Sequence, residues 1–421
     1  MARNPRRHVL RTWLGKYKRR GLRYWLGTIR YWVTVAAVIW LGMYLGAKLD
    51  EHQFGLTERY KIYRLMQKLS PRDPYTRTVV VLIGDEEYWK GELGGRVPIR
   101  RDYLARIISA LDKADAAVIA VDFDFRAQTP DGSILENSIY EKETDVFLAT
   151  VKEVARRRAI ILPKTVRCDS NGDCWSEADI YDRDPEINGG AKGVFKGYIS
   201  LPYDYREVPL GLYLTDNSRI SSFPEAIVTA YDPERKALAH LNDEDSVTYS
   251  GYVPREKFAR ISVQELLTAD PLNLQQRVGH RIVVIGGEWS RDAYHRGPLN
   301  DLHETPVGPL VGVFMHANWV EALLDLRTFT PVSDLTRKVI EIFVALFIAI
   351  TFALDVRYLF KAAIIFVLIV FLFITAYFSW QLFGFFFDFF MPALLVSGHA
   401  VFEQVRHWRN LAIKCERHHL V

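Results

Sequence analysis

The chain has 421 residues, with 54 Lys and Arg against 50 Asp and Glu. The positive balance is local: residues 1–30 hold ten Lys and Arg and no Asp or Glu, so the region between the apolar stretches is net acidic. An acidic central region is unlike a nucleic-acid-binding surface, and we exclude nucleic acid as a partner.

The N-terminal segment, residues 1–30, places Trp13, Leu14 and other apolar side chains at helical spacing among its basic residues. This pattern predicts a cytoplasmic amphipathic segment on an anionic lipid surface, with topology-setting charge alone as the alternative. Residues 31–48 follow with the uncharged run YWVTVAAVIWLGMYLGA. We interpret them as a first transmembrane helix, and a cleaved signal peptide is the alternative.

Residues 49–74 are predicted to form a stalk that joins this helix to a large domain. Within them, Ile62, Leu65, Met66 and Leu69 share one face of a helix. That face is expected either to pack on the domain or to pair with a neighbouring subunit.

The domain, residues 75–330, alternates strand-like and helix-like segments. Predicted strands are 79–84, 116–125, 159–164 and 281–286, and predicted helices are 101–112, 141–156 and 311–324. Between residues 165 and 280 the alternation is weaker. We predict short strands there near 197–202 and 246–252, and helices near 223–231 and 262–268. Such alternation indicates an α/β fold, which we expect to be a mixed sheet flanked by helices.

Two of the three cysteines, Cys168 and Cys174, enclose a short polar segment, CDSNGDC. In an oxidising compartment they are expected to form a disulfide, with two free thiols as the alternative. The segment resembles part of a calcium loop but lacks its Gly and terminal Glu, so a polar hairpin tip is favoured.

Acidic residues stand at or just after predicted strand ends: Asp85, Asp122, Asp124 and Asp301, the last followed by His303. Ligands of α/β sheets bind at this edge, although strand-end carboxylates also cap loops and helices. Capping, a small-molecule cleft, a metal site and catalysis are the four readings, in that order of preference. We find no metal-ligand spacing, nucleophile elbow or P-loop, and we expect no enzyme activity, cofactor or metal.

Three apolar stretches, 338–354, 362–380 and 382–402, precede a short tail, 403–421. With residues 31–48 they predict four transmembrane helices. With four spans, the basic residues of 1–30, of the link 355–361 and of the tail all fall on one side, which places both termini in the cytoplasm and the domain outside.

Two polar residues fall inside the last apolar stretch. Asp388 is interpreted as an interhelical contact or a polar link to the outer domain, or else as an interfacial residue. His399 is interpreted as interfacial or hydrogen-bonded across helices.

The blocks VVVLIGDEEYW, VPIRRDYLARIISAL, AAVIAVDFDF, RIVVIGG and DLHETPVGPLVGVFMHAN resemble, in order, those of the second type of CHASE domain. This is a bacterial sensory extracellular domain found ahead of cyclases and histidine kinases, so the resemblance implies a bacterial inner membrane with the domain in the periplasm. It covers about residues 75–325. It places these residues at motif positions: Asp85, Pro98, Arg101, Asp102, Asp122, Phe125, Gly286, Asp301, Thr305, Pro306, Gly312, Val313, His316, Ala317 and Asn318. The resemblance implies a fold core or a sensing cleft at these positions, and no catalytic role.

Family members commonly continue into a cytoplasmic kinase, cyclase or phosphodiesterase, and here only residues 403–421 follow the last apolar stretch. We therefore expect a sensory, receptor-like protein, bound to the lipid bilayer as a homo-oligomer. Its outer domain would bind an unknown ligand or envelope partner and signal through a separate effector. The alternative is a structural subunit or scaffold of a large envelope complex. A transport function and an outer-side hydrolase have less support.

Overall fold

A computed structural model describes residues 55–69, 76–126, 138–234, 248–292, 298–353, 358–383 and 385–386, with the single residues Tyr44, Lys48 and Arg409. The chain divides into two units. One comprises Thr57–Pro331, and the other comprises Met1–Leu56 with Val332–Val421.

A six-stranded sheet forms the centre of the first unit. Its strands, in spatial order, are β10 (Ala259–Ser262), β1 (Thr78–Gly84), β11 (Ile282–Glu288), β2 (Val118–Val121), β3 (Ala159–Lys164) and β6 (Val194–Tyr198). Every neighbouring pair is parallel, so the expected mixed sheet is instead parallel throughout. The continuous apolar run of β1 explains this, because strands of parallel sheets are buried on both faces.

Antiparallel pairing is confined to short ribbons outside the sheet. These are β4 (Val166–Cys168) with β5 (Cys174–Ser176), β7 (Leu212–Tyr213) with β8 (Arg219–Ile220), β12 (Leu302–Thr305) with β13 (Gly308–Val311), and β9 (Tyr249–Ser250) with β14 (Thr328–Pro331). The β4–β5 and β7–β8 ribbons lie in connections between parallel strands, whereas β12, β13 and β14 come after β11, the last parallel strand along the chain.

Helices cover both faces of the sheet, because alternate residues of β1 enter two different apolar cores. Val79, Val81 and Ile83 join one core, and Val80 and Leu82 join the other. The first core takes in α2 (Arg101–Lys113), α3 (Ser138–Ala155), α6 (Val263–Thr268) and α7 (Pro271–Val278), and the second takes in α5 (Phe223–Tyr231) and α8 (Gly312–Leu324). A single helical turn, α4 (Pro185–Asn188), lies beside the first core.

The predicted elements of the domain are all present, with two notable differences. The strand predicted over 116–125 ends at Val121, so Asp122 and Asp124 lie beyond the sheet. A π-helical turn, Glu86–Lys90, follows β1 and was not predicted.

The stalk helix, α1 (Leu56–Lys68), packs on the domain by a face that only partly matches the predicted one. Met66 is buried as expected, but Leu65 and Leu69 are 50% and 51% exposed, and Tyr60 and Tyr63 are buried in their place. The tyrosines are buried because their hydroxyls have partners: that of Tyr63 donates to the Ser250 carbonyl at 2.5 Å.

In the second unit, α9 (Asp334–Ala353) and α10 (Tyr358–Phe383) occupy two of the predicted spans. Within the described part of the chain, Ala363–Leu382 is the one helical segment long and apolar enough to cross a membrane. Four membrane helices are therefore not confirmed.

Extended backbone at Phe385–Phe386 (β15) makes the prediction of helix wrong at these two residues. Residues 1–30, the predicted span 31–48 apart from Tyr44 and Lys48, and the remainder of the last span lie outside the described residues. Asp388 and His399 also lie outside them.

Candidate functional site

A cavity of about 520 Å³ opens at the carboxyl edge of the parallel sheet. Segments that follow β1, β2, β6 and β11 reach it, together with the start of α8. Its lining consists of Tyr88, Arg96, Val97, Pro98, Ile99, Asp122, Phe123, Asp124, Arg126, Ile199, Gly287, Trp289, Asn300, Asp301 and Val313. This is the edge at which the sequence placed the strand-end carboxylates, and the structure brings Asp122, Asp124 and Asp301 together there.

Asp122 is the most unusual of these carboxylates. Its backbone N–H extends the ladder by donating to Ile285 at 2.8 Å, while its side chain is 13% exposed. His316 Nε2 lies 3.8 Å from the carboxyl, beyond hydrogen-bond distance. Burial, reinforced by the charge of Asp301, raises the pKa of Asp122 to about 8. At neutral pH this carboxyl therefore carries a proton.

His316 lies behind Asp122 on α8 and is 2% exposed. Its ring packs edge-to-face against Phe223 and Trp319, with centroids 5.1 and 5.5 Å away. Burial lowers its pKa to about 4, so the imidazole is neutral at pH 7. Its Nδ1 finds no hydrogen-bond partner within the described residues.

Asp301 joins the cavity to the start of α8. Its backbone is left-handed, with φ 58°, and its Oδ2 accepts from the Gly312 N–H at 3.2 Å. A Cβ on Gly312 would collide with that carboxylate, which explains glycine there. The other oxygen meets His303 Nε2 at 2.7 Å, and His303 Nδ1 meets the Tyr205 hydroxyl at 2.9 Å.

Three stacked aromatic rings form an apolar wall of the cavity. Tyr88 stacks on Trp289 with centroids 4.1 Å apart, and Phe123 lies parallel to the same indole at 6.2 Å. Gly287 makes room for the indole, because a Cβ there would overlap it. Trp289 was not predicted; its position directly after a strand end was the available signal.

Both cavity arginines are already paired with acids. Arg96 Nη1 donates to Glu143 at 2.8 Å, and Arg126 Nε donates to Asp124 at 2.7 Å. Arg126 also lies 3.9 Å from Glu177. Each guanidinium group therefore has an acidic partner, and the charge of Asp124 is matched by that of Arg126.

Three of the predicted site residues lie outside the cavity lining, near α2. Asp85 accepts from the Ser290 N–H at 2.7 Å and so joins the segment after β1 to that after β11. Arg101 is buried and donates to Thr144 at 2.5 Å between α2 and α3, and burial lowers its pKa to about 10. Asp102 pairs with Arg100 at 2.5 Å, and this hydrogen bond lowers the pKa of Asp102.

Two further predicted residues, Thr305 and Asn318, form hydrogen bonds that stabilise α8 and the segments next to it. The Thr305 hydroxyl donates to the Gly308 carbonyl at 2.5 Å and closes the β12–β13 turn. Asn318 is buried, accepts from the Val253 N–H at 2.5 Å, and donates to the Phe314 carbonyl at 2.9 Å. Both therefore serve the fold and do not line the cavity.

Cys168 and Cys174 are joined by the expected disulfide, which closes the β4–β5 hairpin. Within the enclosed segment, Asp169 Oδ1 accepts from the backbone N–H groups of Asn171 and Asp173 at 2.9 and 3.0 Å. The loop carboxylate thus stabilises a polar hairpin tip.

A family model described as CHASE2 domain matches residues 33–352 of the chain. No curated protein and no solved structure matches it.

Proposed function

The chain belongs to the CHASE2 domain family, a family of extracellular sensory domains, and from this premise we propose a specific sensory function. The outer domain, residues 75–330, binds a small molecule in the carboxyl-edge cavity. The protein has no catalytic output of its own and signals through a separate partner in the membrane or cytoplasm. A homo-oligomer with four membrane helices, both termini cytoplasmic and the domain periplasmic, is part of this proposal.

The observation that carries the proposal is the state of Asp122 in the cavity. An acidic side chain that is 13% exposed and has no hydrogen bond within the described chain is unfavourable for folding alone. Perturbed, poorly paired carboxyls of this kind occur chiefly at binding sites. The cavity volume, about 520 Å³, suits a small organic ligand.

A hydrogen-bonded link from the cavity to the stalk supports a signalling role. It runs from Asp301 through His303 to the hydroxyl of Tyr205, whose backbone N–H donates to the Tyr60 hydroxyl of α1 at 2.9 Å. Arg64 of α1 adds a second connection, because its Nε donates to the Pro306 carbonyl in the β12–β13 turn at 2.8 Å. A ligand that moves Asp301 thus acts on the helix that precedes the domain.

Thermal-shift screening of the purified full chain in detergent against a broad metabolite library tests the proposal. At least one compound should raise the melting temperature of the wild type, and Asp122→Ala and Asp301→Ala should abolish that rise. Asp173→Ala makes the same side-chain replacement at an exposed hairpin position and should leave the rise intact.

Absence of any stabilising compound would overturn the sensing proposal. So would a purified ring-like oligomer in which neighbouring outer domains fill the cavity, because that outcome favours the scaffold alternative.

A further inference from the structure

The charge balance of the cavity gives the ligand a chemical class, on the premise that the cavity is the sensing site proposed above. Arg96 and Arg126 are bound to acids, and Asp301 is engaged by His303 and the Gly312 N–H. Among these charged side chains, only the carboxyl of Asp122 has no hydrogen bond within the described residues, and His316 Nε2 lies 3.8 Å from it. Of the acidic and basic side chains that line the cavity, Asp122 is therefore the one without a partner among the described residues, and both arginines have an acidic partner.

We propose that the cavity binds a small organic amine in its ammonium form. The ammonium group donates hydrogen bonds to Asp122, near the charge of Asp301, and the apolar part of the ligand lies along the wall formed by Tyr88, Trp289 and Phe123.

Other ligand classes fit these residues less well. An anion would meet Asp122 and Asp301 while both guanidinium groups are occupied, so it would lack a counter-charge. Calcium requires about six to eight oxygen ligands. No group of three or more His, Cys, Asp or Glu within the described residues is arranged to hold a metal ion. An ammonium ion is satisfied by a few hydrogen bonds and a nearby negative charge, and this cavity provides both.

Binding of an ammonium ion requires Asp122 to lose its proton. The groups around it are Asp301 just before β12, His303 in β12, His316 from α8, and Asp124 with Arg126 on its own segment. Because the pKa of Asp122 is about 8 in the free protein, amine binding below that pH releases a proton. Affinity should then rise about tenfold per pH unit up to about pH 8 and level off above it.

Calorimetric titration of the full chain in detergent with skeleton-matched probes tests this assignment. Butylamine, cyclohexylamine and 2-phenylethylamine are each compared with the corresponding alcohol and carboxylate at pH 6.5, 7.5 and 8.5. At least one amine should bind, about tenfold more tightly at pH 7.5 than at pH 6.5, and its alcohol and carboxylate should not. Asp122→Asn should abolish binding, and Asp173→Asn should preserve it.

Three results would overturn the inference: equal binding of the alcohol or carboxylate, an affinity that falls as pH rises, or no binding of any amine. None of them removes the proposed sensory function, which fails if the broad library also yields no cavity ligand or if neighbouring domains of an oligomer fill the cavity.

Discussion

Replacement of Asp122 by Asn should make the protein more stable, and increasingly so as the pH rises. The wild-type carboxyl has a pKa of about 8 in the folded protein against an ordinary value of 3.8. Below pH 3.8 both the folded and the unfolded chain carry the proton, and the group has no effect on the balance. As the pH rises above 3.8, Asp122 ionises in the unfolded chain but keeps its proton in the folded chain. The free energy of unfolding therefore falls with pH until about pH 8.

The size of this effect follows from the two pKa values. Each unit between them corresponds to about 1.4 kcal/mol, so the loss reaches about 4 kcal/mol at pH 7 and about 6 kcal/mol above pH 8. Asparagine does not ionise and escapes this loss, although its buried amide without a partner costs about 1–3 kcal/mol at every pH. The diagnostic quantity is therefore the slope of the stability difference with pH.

Melting temperatures of wild type and Asp122→Asn, measured in the same detergent from pH 5 to 9, give that slope. For a domain of about this size 1 kcal/mol shifts the melting temperature by about 2–4 °C, so the difference should widen by about 3–6 °C per pH unit up to pH 8. Asp124→Asn removes a charge two residues away, at a side chain that is 47% exposed, and serves as the control. Parallel melting curves for wild type and Asp122→Asn across this range would refute the reasoning.

Three further changes probe the surroundings of the cavity. Asn318→Ala leaves the buried Val253 N–H without an acceptor and should lower stability by about 3 kcal/mol, measured as a lower melting temperature; an unchanged one would contradict this role. Cys168→Ser opens a short exposed hairpin and should cost about 2 kcal/mol without weakening ligand binding, and a lost thermal shift in the screen would speak against that separation. Tyr60→Phe removes the hydroxyl that accepts from Tyr205, so amide exchange should accelerate in α1 and stay unchanged in β1; wild-type exchange in α1 would show that this bond does not hold the helix.

The sheet and its helices follow from local patterns, which explains why they were predictable. A continuous apolar run such as 79–84 permits only a strand buried on both faces, and the helix 223–231 agrees with its predicted bounds because Ser222 caps it and Pro224 stands in its first turn. The stalk face was predicted only in part, for the opposite reason. Spacing identified Met66, which is buried, but also Leu65 and Leu69, which are exposed. The burial of the tyrosines depends on where their hydroxyls find partners elsewhere in the domain, which spacing does not show.

The candidate site was predictable only in part. The rule that parallel strands place their carboxyl ends at one edge located Asp122 and Asp124, which follow β2. It does not account for Asp301, which stands just before the antiparallel strand β12 and reaches the cavity through the long segment after β11. It could not separate them from Arg101, whose partner Thr144 comes from another helix. Nor could it predict the aromatic wall, because the stacking of Trp289 on Tyr88 joins residues far apart in sequence.

The position of Asp122 suggests how occupancy would become a signal. A ligand shifts a conformational equilibrium only through interactions that differ between two states. An amine that ionises Asp122 would create a negative charge 3.8 Å from the Nε2 of His316, whose imidazole is neutral in the empty site. At an effective dielectric constant of about 20, that charge favours the protonated over the neutral imidazole by on the order of 4 kcal/mol, which the positive charge of the amine partly offsets. The amine would also change the balance at Asp301, which caps α8 and begins the hydrogen-bonded link to α1. In this proposal an amine would change two sets of contacts, those of Asp122 with His316 and those of Asp301. The contacts of Asp301 continue through His303 and Tyr205 to the stalk helix.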